Sequence, residues 1–233
     1  MKTIGLIGGM SWESSLLYYQ IINETVKARL GGLHSAQCLL WSFDFAEIEA
    51  LQAAGDWDQA TRQMIAAARR LERGGADCLV ICTNTMHKMA GDVQAAVDLP
   101  LIHIADATAA HVRAAGIDRI ALLGTRYTME QDFYKGRLIE HYGLDVLIPD
   151  AAGIPVVHDI IYDELVVGVV KDDSRRRYQQ VIDALAQRGA QGVILGCTEI
   201  TMLIKPDDSP LPVFDTTYLH AVAAVDWALA ADS

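Results

Sequence analysis

The sequence predicts an α/β fold made of two pseudo-symmetric α/β/α halves with mainly parallel sheets. Short apolar runs alternate with longer stretches of helical spacing. This alternation occurs twice, with related motifs in the same order. Glycines follow the helical stretches, where a left-handed C-cap is needed. In the first half, apolar runs near residues 3–8, 36–41, 78–82 and 101–104 are rich in Ile, Leu and Val. Strands covered on both faces have that composition. Between them, residues 12–30 carry Leu16, Tyr19, Ile22 and Val26 at helical spacing. Residues 56–74 carry Met64, Ala67, Ala68 and Leu71 in the same way, and Gly74-Gly75 closes that stretch. In the second half, strands are expected near 119–124, 144–148, 192–196 and 212–214. Helices are expected near 128–142, 158–170, 174–188 and 217–230, with Gly189 after the third.

The repeat is visible in the residues themselves. Ile4-Gly-Leu-Ile-Gly-Gly9 resembles Ile120-Ala-Leu-Leu-Gly-Thr125, and the stretch Leu71 to Asn84 resembles Leu185 to Thr198. Leu99-Pro-Leu-Ile102 resembles Leu211-Pro-Val-Phe214. Gly8 and Gly124 are 116 positions apart, Thr83 and Cys197 are 114, and Leu99 and Leu211 are 112. Three motifs at nearly one lag point to a duplicated unit. The expected boundaries are 1–105 for the N-terminal half, 106–215 for the C-terminal half and 216–233 for a terminal helix that can return to the first half. No Ser-, Gly- or Pro-rich linker separates the halves, so a tight interface around a cleft is expected.

Composition removes several function classes. Of 233 residues, 52% are apolar and 21% charged, which excludes a disordered or low-complexity chain. A net charge of −11 argues against general affinity for nucleic acid or anionic membrane. Apolar runs such as Leu165 to Val170 are far below the ~18 residues of a membrane span. The opening Met1 to Met10 carries one Lys and is broken by Gly5, Gly8 and Gly9, a poor signal peptide. Cys38, Cys78, Cys82 and Cys197 do not look like a disulfide framework. A cytoplasmic protein with free thiols is expected. The seven His form no zinc-type spacing, and no Walker loop or Gly-x-Ser-x-Gly elbow occurs, so no metal is expected.

Ligands of such folds sit beyond the carboxyl ends of the strands. Three loops lie there. Gly8-Gly9-Met10-Ser11-Trp12-Glu13-Ser14 offers backbone N–H groups to an anion and a Ser11 cap to the next helix. It lacks the dinucleotide fingerprint. Cys82-Thr83-Asn84-Thr85-Met86-His87 and Gly196-Cys197-Thr198-Glu199 are the other two. The repeat makes Thr83 and Cys197 equivalent. A cysteine at a helix start is expected to have a lowered pKa. Cys38, Cys78 and Cys82 are expected to be core residues.

These three loops resemble those of the cofactor-independent aspartate/glutamate racemase family, and the similarity covers nearly the whole chain. Within it, the stretches Leu123 to Tyr134 and His103 to Thr108 look most like bacterial broad-specificity amino-acid racemases. The resemblance implies a homodimer, an active site in the inter-domain cleft, a small amino-acid substrate and no cofactor. L-Glutamate and L-aspartate are the expected substrates. Racemisation needs two proton-transfer groups on opposite sides of the α-carbon. The family pattern has Cys in both places; this chain has Thr83 and Cys197. Cys197 is expected to abstract the α-proton of the L-substrate, with Thr83 serving the far face and His87 as a helper.

Asn84, Thr85 and Thr198 flank the pair and are expected to bind substrate. Met10 and Ser11 join them by similarity, and Thr125 and Thr128 by repeat equivalence. Glu199 is expected to hold the α-ammonium, and Gln52 to reach the cleft. Glu164 stands where some aspartate racemases carry a basic group, and Ile48 where they carry an arginine. A single-cysteine decarboxylase or cis-trans isomerase of the same fold remains an alternative, as does a catalytically inactive ligand-binding protein.

Overall fold

The computed structural model of the protein describes residues 1–230. The last three residues of the expected terminal helix, 231–233, lie outside the described residues. The chain forms two compact units. The first holds residues 1–104 and takes up the chain again from His220; the second holds Ala105–Leu219.

The first unit runs β1 (Ile4–Gly8), α1 (Trp12–Leu30), β2 (Cys38–Ser42), α2 (Phe45–Ala54), α3 (Trp57–Arg73), β3 (Cys78–Ile81), a 3-10 turn (Thr85–Met89), α4 (Ala90–Ala95) and β4 (Leu101–Ile102). Helix α5 (Ile104–Ala114) leads into the second unit. That unit continues with β5 (Arg119–Gly124), α6 (Arg126–Glu130), α7 (Asp132–Tyr142), β6 (Asp145–Leu147), α8 (Gly153–Asp163), a 3-10 turn (Leu165–Val167) and α9 (Asp172–Gln187). It ends with β7 (Val193–Gly196), α10 (Ile200–Leu203), a 3-10 turn (Pro206–Asp208) and β8 (Val213–Asp215). Helix α11 (Thr216–Leu229) starts there and rejoins the first unit at His220.

Each unit has one four-stranded parallel sheet, in the orders β2-β1-β3-β4 and β6-β5-β7-β8. The register is duplicated as well as the order. Ile7 pairs with Ile81, and Leu123 pairs with Leu195. Thr83 lies two residues beyond Ile81, and Cys197 two beyond Leu195, so both leave their sheets at the same place.

Strand alternation explains the two faces of the first sheet. Ile7, Leu79 and Ile81 pack with Met64, Ala67, Ala68 and Leu71 of α3. Ile4, Leu6, Cys78, Val80 and Cys82 pack on the other side with Tyr18, Ile22 and Val26 of α1 and with Ala221, Ala224 and Val225 of α11. In the second unit, Ala121, Leu123, Val193 and Leu195 meet Val157, Ile160 and Ile161 of α8 and Tyr178, Ile182 and Leu185 of α9. Burying each of the larger aliphatic side chains contributes about 1.5–3 kcal/mol relative to exposure.

Several expected elements move. The helix expected at 128–142 is two helices, broken at Gln131, whose backbone is extended (φ −88°, ψ 150°). The helix expected at 158–170 starts earlier, at Gly153, because Asp150 accepts from the N–H groups of Ala152 and Gly153. Its Val-rich tail is a 3-10 turn closed by Gly168 at φ 74°. The run 101–104 is a strand only to Ile102. Helices α2, α4, α5 and α10 fall outside the helical ranges assigned from the sequence. Gly75 (φ 90°), rather than Gly74 (φ −75°), supplies the left-handed residue after α3, and Gly189 (φ 92°) matches it after α9. Among the described residues no helix is long and apolar enough to cross a membrane.

Gly9 has no substitute in the first loop. Its φ is 81°, and a Cβ there would lie 2.3 Å from both the backbone N and O of Phe43. Gly9→Ala is expected to destabilise the protein by about 3 kcal/mol, combining a left-handed penalty with overpacking. Urea unfolding of the variant against the parent measures this, and a difference near zero would contradict it.

Candidate active site

In the first unit, β1 and β3 are neighbours, so their trailing loops leave the sheet side by side. The Thr83 loop is pinned by backbone bonds from Cys82 N to Ile7 O (2.9 Å) and from Thr83 N to Ile81 O (2.9 Å). Thr83 is half-buried between buried Cys82 and buried Asn84 and Thr85. Gln52, in the last turn of α2, donates from Nε2 to Sδ of Met86 (3.2 Å), which ties α2 to this loop. His87 is anchored to two stretches of backbone. Its Nδ1 lies 2.8 Å from the carbonyl oxygen of Thr83, and its Nε2 accepts from the N–H of Ile104 (3.2 Å).

The β1 loop begins α1 through Ser11, whose Oγ accepts from Ser14 N (3.4 Å) and lies 3.2 Å from Ser14 Oγ. Met10 turns into the apolar cluster beneath α3. The second unit repeats the cap. Thr125 Oγ1 accepts from Thr128 N (3.4 Å) and lies 3.2 Å from Thr128 Oγ1. Ser11 and Thr125 are thus equivalent at a lag of 114, and the two extra residues Gly9 and Met10 explain why Gly8 and Gly124 are 116 apart. Thr128 is fully enclosed, with its methyl packed where Gly124 and Gly196 leave room. Its side chain packs against the two strand ends, and Met10 is likewise packed into the core.

Cys197 is half-buried between buried Gly196 and Thr198. Its Sγ donates to Glu199 Oε2 (3.0 Å), and Thr198 Oγ1 donates to the same oxygen (2.6 Å). Burial pushes the Cys197 thiol well above its ordinary value, and the Glu199 charge adds to the rise. The expected helix-start depression is therefore corrected. Helix α10 has only four residues and begins three positions later, too little dipole to offset desolvation and a carboxylate. Burial also raises the thiols of Cys38 to about 11 and Cys78 to about 12, and that of Cys82 further. Those three are packed into, or against, the core.

Glu164 ends α8, and its carboxylate is already engaged. It accepts from Ser174 Oγ (2.6 Å) and Lys171 Nζ (3.1 Å), the Ser174 bond being the main reason its pKa is lowered. Thus the first unit brings Thr83, Asn84, Thr85, His87 and Gln52 to one loop, with Ser11 on its neighbour. The second gathers Cys197, Thr198 and Glu199 on one carboxylate, with Thr125 on the adjacent loop, while Glu164 is turned toward α9.

The sequence did not point to three buried residues behind Thr83, namely Tyr18, His103 and His220. Tyr18 OH lies 2.8 Å from His220 Nδ1, and His220 Nε2 lies 2.7 Å from the carbonyl oxygen of Ile102. Nor did it point to the end of β8. There Asp215 accepts from the N–H groups of Thr217 and Tyr218, and Thr217 Oγ1 is buried without a hydrogen-bond partner. The Leu99 and Leu211 pairing was the nearest available signal, since it lies two residues before each of these strands. Among the described residues no group of three or more His, Cys, Asp or Glu side chains is placed to hold a metal ion.

The model of the Asp/Glu/hydantoin racemase family matches residues 7–224. The chain belongs to this family. Its relatives include the broad specificity amino-acid racemase RacX of Bacillus subtilis, 23% identical over 181 residues that make up 76% of each chain. The crystal structure of a candidate Asp/Glu racemase from Yersinia pestis superposes with a TM-score of 0.93 at 56% identity, over 99% of this chain and 100% of that one. An aspartate racemase homologue from Pyrococcus horikoshii gives 0.85 at 34% identity, over 98% and 99%. Membership of this racemase family makes the chain an isomerase by descent, and its two parallel sheets match the two-domain fold of these structures.

Proposed function

We propose that the protein racemises amino acids without a cofactor, with L-glutamate and L-aspartate the first substrates. The proton moves between the α-carbon and Cys197 on one face, and between the α-carbon and Thr83 on the other. One observation carries this reading: in a chain of a racemase family, Thr83 and Cys197 occupy the same half-buried position on duplicated loops. Inversion at carbon needs two such groups, and duplication supplies them.

The thiol is not a ready base, because it holds its proton against Glu199. Glu199 accordingly takes that proton as the thiolate forms, a role beyond the α-ammonium contact its charge also favours. On the other face, the Thr83 hydroxyl donates or relays a proton; an alcohol acts as base only beside an activating partner. Oriented donors must hold the α-carboxylate and the carbanion-like transition state. Asn84, Thr85, Thr198, Ser11 and Thr125 carry such donors at the strand ends. The two enantiomers have equal free energy, so kcat/KM is equal in both directions. In this reading the enzyme is a cytoplasmic homodimer acting on a small zwitterion.

A chiral assay across the proteinogenic amino acids in heavy water tests it. The expected result is inversion, with deuterium at the α-carbon of the product, abolished in Thr83→Val and unaffected by chelator or added pyridoxal phosphate. No α-exchange with any amino acid would overturn racemisation, and carbon dioxide release would identify a decarboxylase instead.

A further inference from the structure

The histidines behind Thr83 take no part in the proton transfers above. His87 is enclosed, with only 2% of its surface exposed. The backbone N–H of Ile104 can only donate, so His87 Nε2 accepts and Nδ1 carries the hydrogen, which it gives to the Thr83 carbonyl. The ring is neutral and both its nitrogens are committed to backbone. Passing a proton to or from the Thr83 hydroxyl would break one of these bonds.

The ring has buried support. His103 and His220 lie with ring centroids 4.6 Å and 5.5 Å from it. His220 donates from Nε2 to Ile102 O, and its Nδ1 is hydrogen-bonded to Tyr18 OH. His87 and His220 thereby grip residues 104 and 102, on either side of His103, where the chain leaves β4 and enters α5. The Thr83 loop itself has only a five-residue 3-10 turn behind it.

We propose that His87 is a positioning residue for Thr83. It locks the carbonyl of residue 83 to the β4–α5 junction, which His220 and Tyr18 hold in turn, and so fixes where the Thr83 hydroxyl points. The inference rests on Thr83 being a proton-transfer group. A hydroxyl that exchanges a proton with carbon must be aligned both with that carbon and with its own proton partner, and a 1 Å misplacement can cost about 10²-fold in rate.

The test compares α-deuterium isotope effects on kcat/KM for the L- and D-substrates in the parent, His87→Leu and His87→Gln. In His87→Leu, kcat/KM is expected to fall about 10²-fold. The Thr83 step then becomes more rate-limiting. The isotope effect therefore rises for the D-substrate, whose α-deuteron Thr83 removes, and falls toward one for the L-substrate. His87→Gln keeps one donor and one acceptor and recovers at least about tenfold of the loss, consistent with a retained backbone bridge. Isotope effects are ratios and do not depend on how much of a variant is folded; if His87→Leu does not fold, the same opposite shifts are read in His87→Gln. Unchanged isotope effects, equal shifts for both enantiomers, or a Gln variant no better than Leu would overturn the proposal. Thr83→Val separates the two ideas. If it leaves racemisation intact, the role of Thr83 fails; if it abolishes racemisation while the His87 variants keep the parental pattern, only the role of His87 fails.

Discussion

Cys197→Ala is expected to lower kcat for racemisation by about 10²–10⁴-fold, the range for loss of a positioned acid–base group. The loss appears equally with L- and D-substrate, because each direction passes through both proton transfers. KM changes little, since the thiol is not among the donors assigned to the substrate carboxylates. Folding survives the change. The sulfur is half-buried against the second-unit core, and the Glu199 oxygen that accepts from it also accepts from Thr198, which keeps its bond. Loss of one such bond costs about 1 kcal/mol. Cys197→Ser is also slowed, because an alcohol has a much higher pKa than a thiol and gives up its proton to Glu199 far less readily. Polarimetry of both enantiomers, with thermal unfolding of each variant, reads the result. A variant within tenfold of the parent would remove Cys197 from the chemistry.

Most of the scaffold was legible because the apolar pattern is simple. Runs such as Ile4 to Ile7 and Val193 to Leu195 are buried on both faces, so they read as continuous strands. Helices α1 and α3 are long, and their buried residues recur at helical spacing. Helices α2, α4 and α5 were hidden for local reasons. Helix α4 has six residues, too few for a period, and α5 opens inside the apolar run that also holds β4. Helix α2 shows itself only through its ends, with Asp44 capping its start and Gly55 in a left-handed conformation at its close.

The candidate site was legible where it is duplicated and obscure where it depends on packing. The lag of 114 aligns Thr83 with Cys197 from the residues alone, and it aligns Ser11 with Thr125 once the two extra residues are recognised. Nothing in the spacing shows that the Cys197 thiol and the Thr198 hydroxyl converge on one oxygen of Glu199. The Cys197 thiol shifts opposite to the helix-start expectation because its burial has no signature in one dimension. His220 lies more than a hundred residues from both His87 and His103, so the buried histidine group is a tertiary fact without a local signature.

Glu199→Gln is expected to separate thiol acidity from catalysis. In the parent, burial is the largest cause of the raised Cys197 pKa, and the Glu199 carboxylate is the next. Removing that charge lets the thiol titrate at lower pH, so iodoacetamide alkylates Cys197 faster at neutral pH than in the parent. Turnover moves the other way. With Glu199 present, the proton passes from sulfur to carboxylate without leaving the pair, so the active form carries the same net charge as the resting form. Parental kcat/KM is then flat through the neutral range. With Gln, the thiolate forms by losing a proton to water and has no neighbouring carboxyl group to take up and return the transferred proton, so each thiolate turns over far less well than the parent pair. At neutral pH kcat/KM is therefore about 10²-fold lower, in line with the loss of a proton acceptor. It then climbs about tenfold per pH unit until the thiol has titrated, the slope for loss of one proton. A variant that is both more reactive toward alkylation and faster at neutral pH would show that Glu199 merely restrains the thiol. A flat profile with unchanged turnover would show that the carboxylate does not handle the proton.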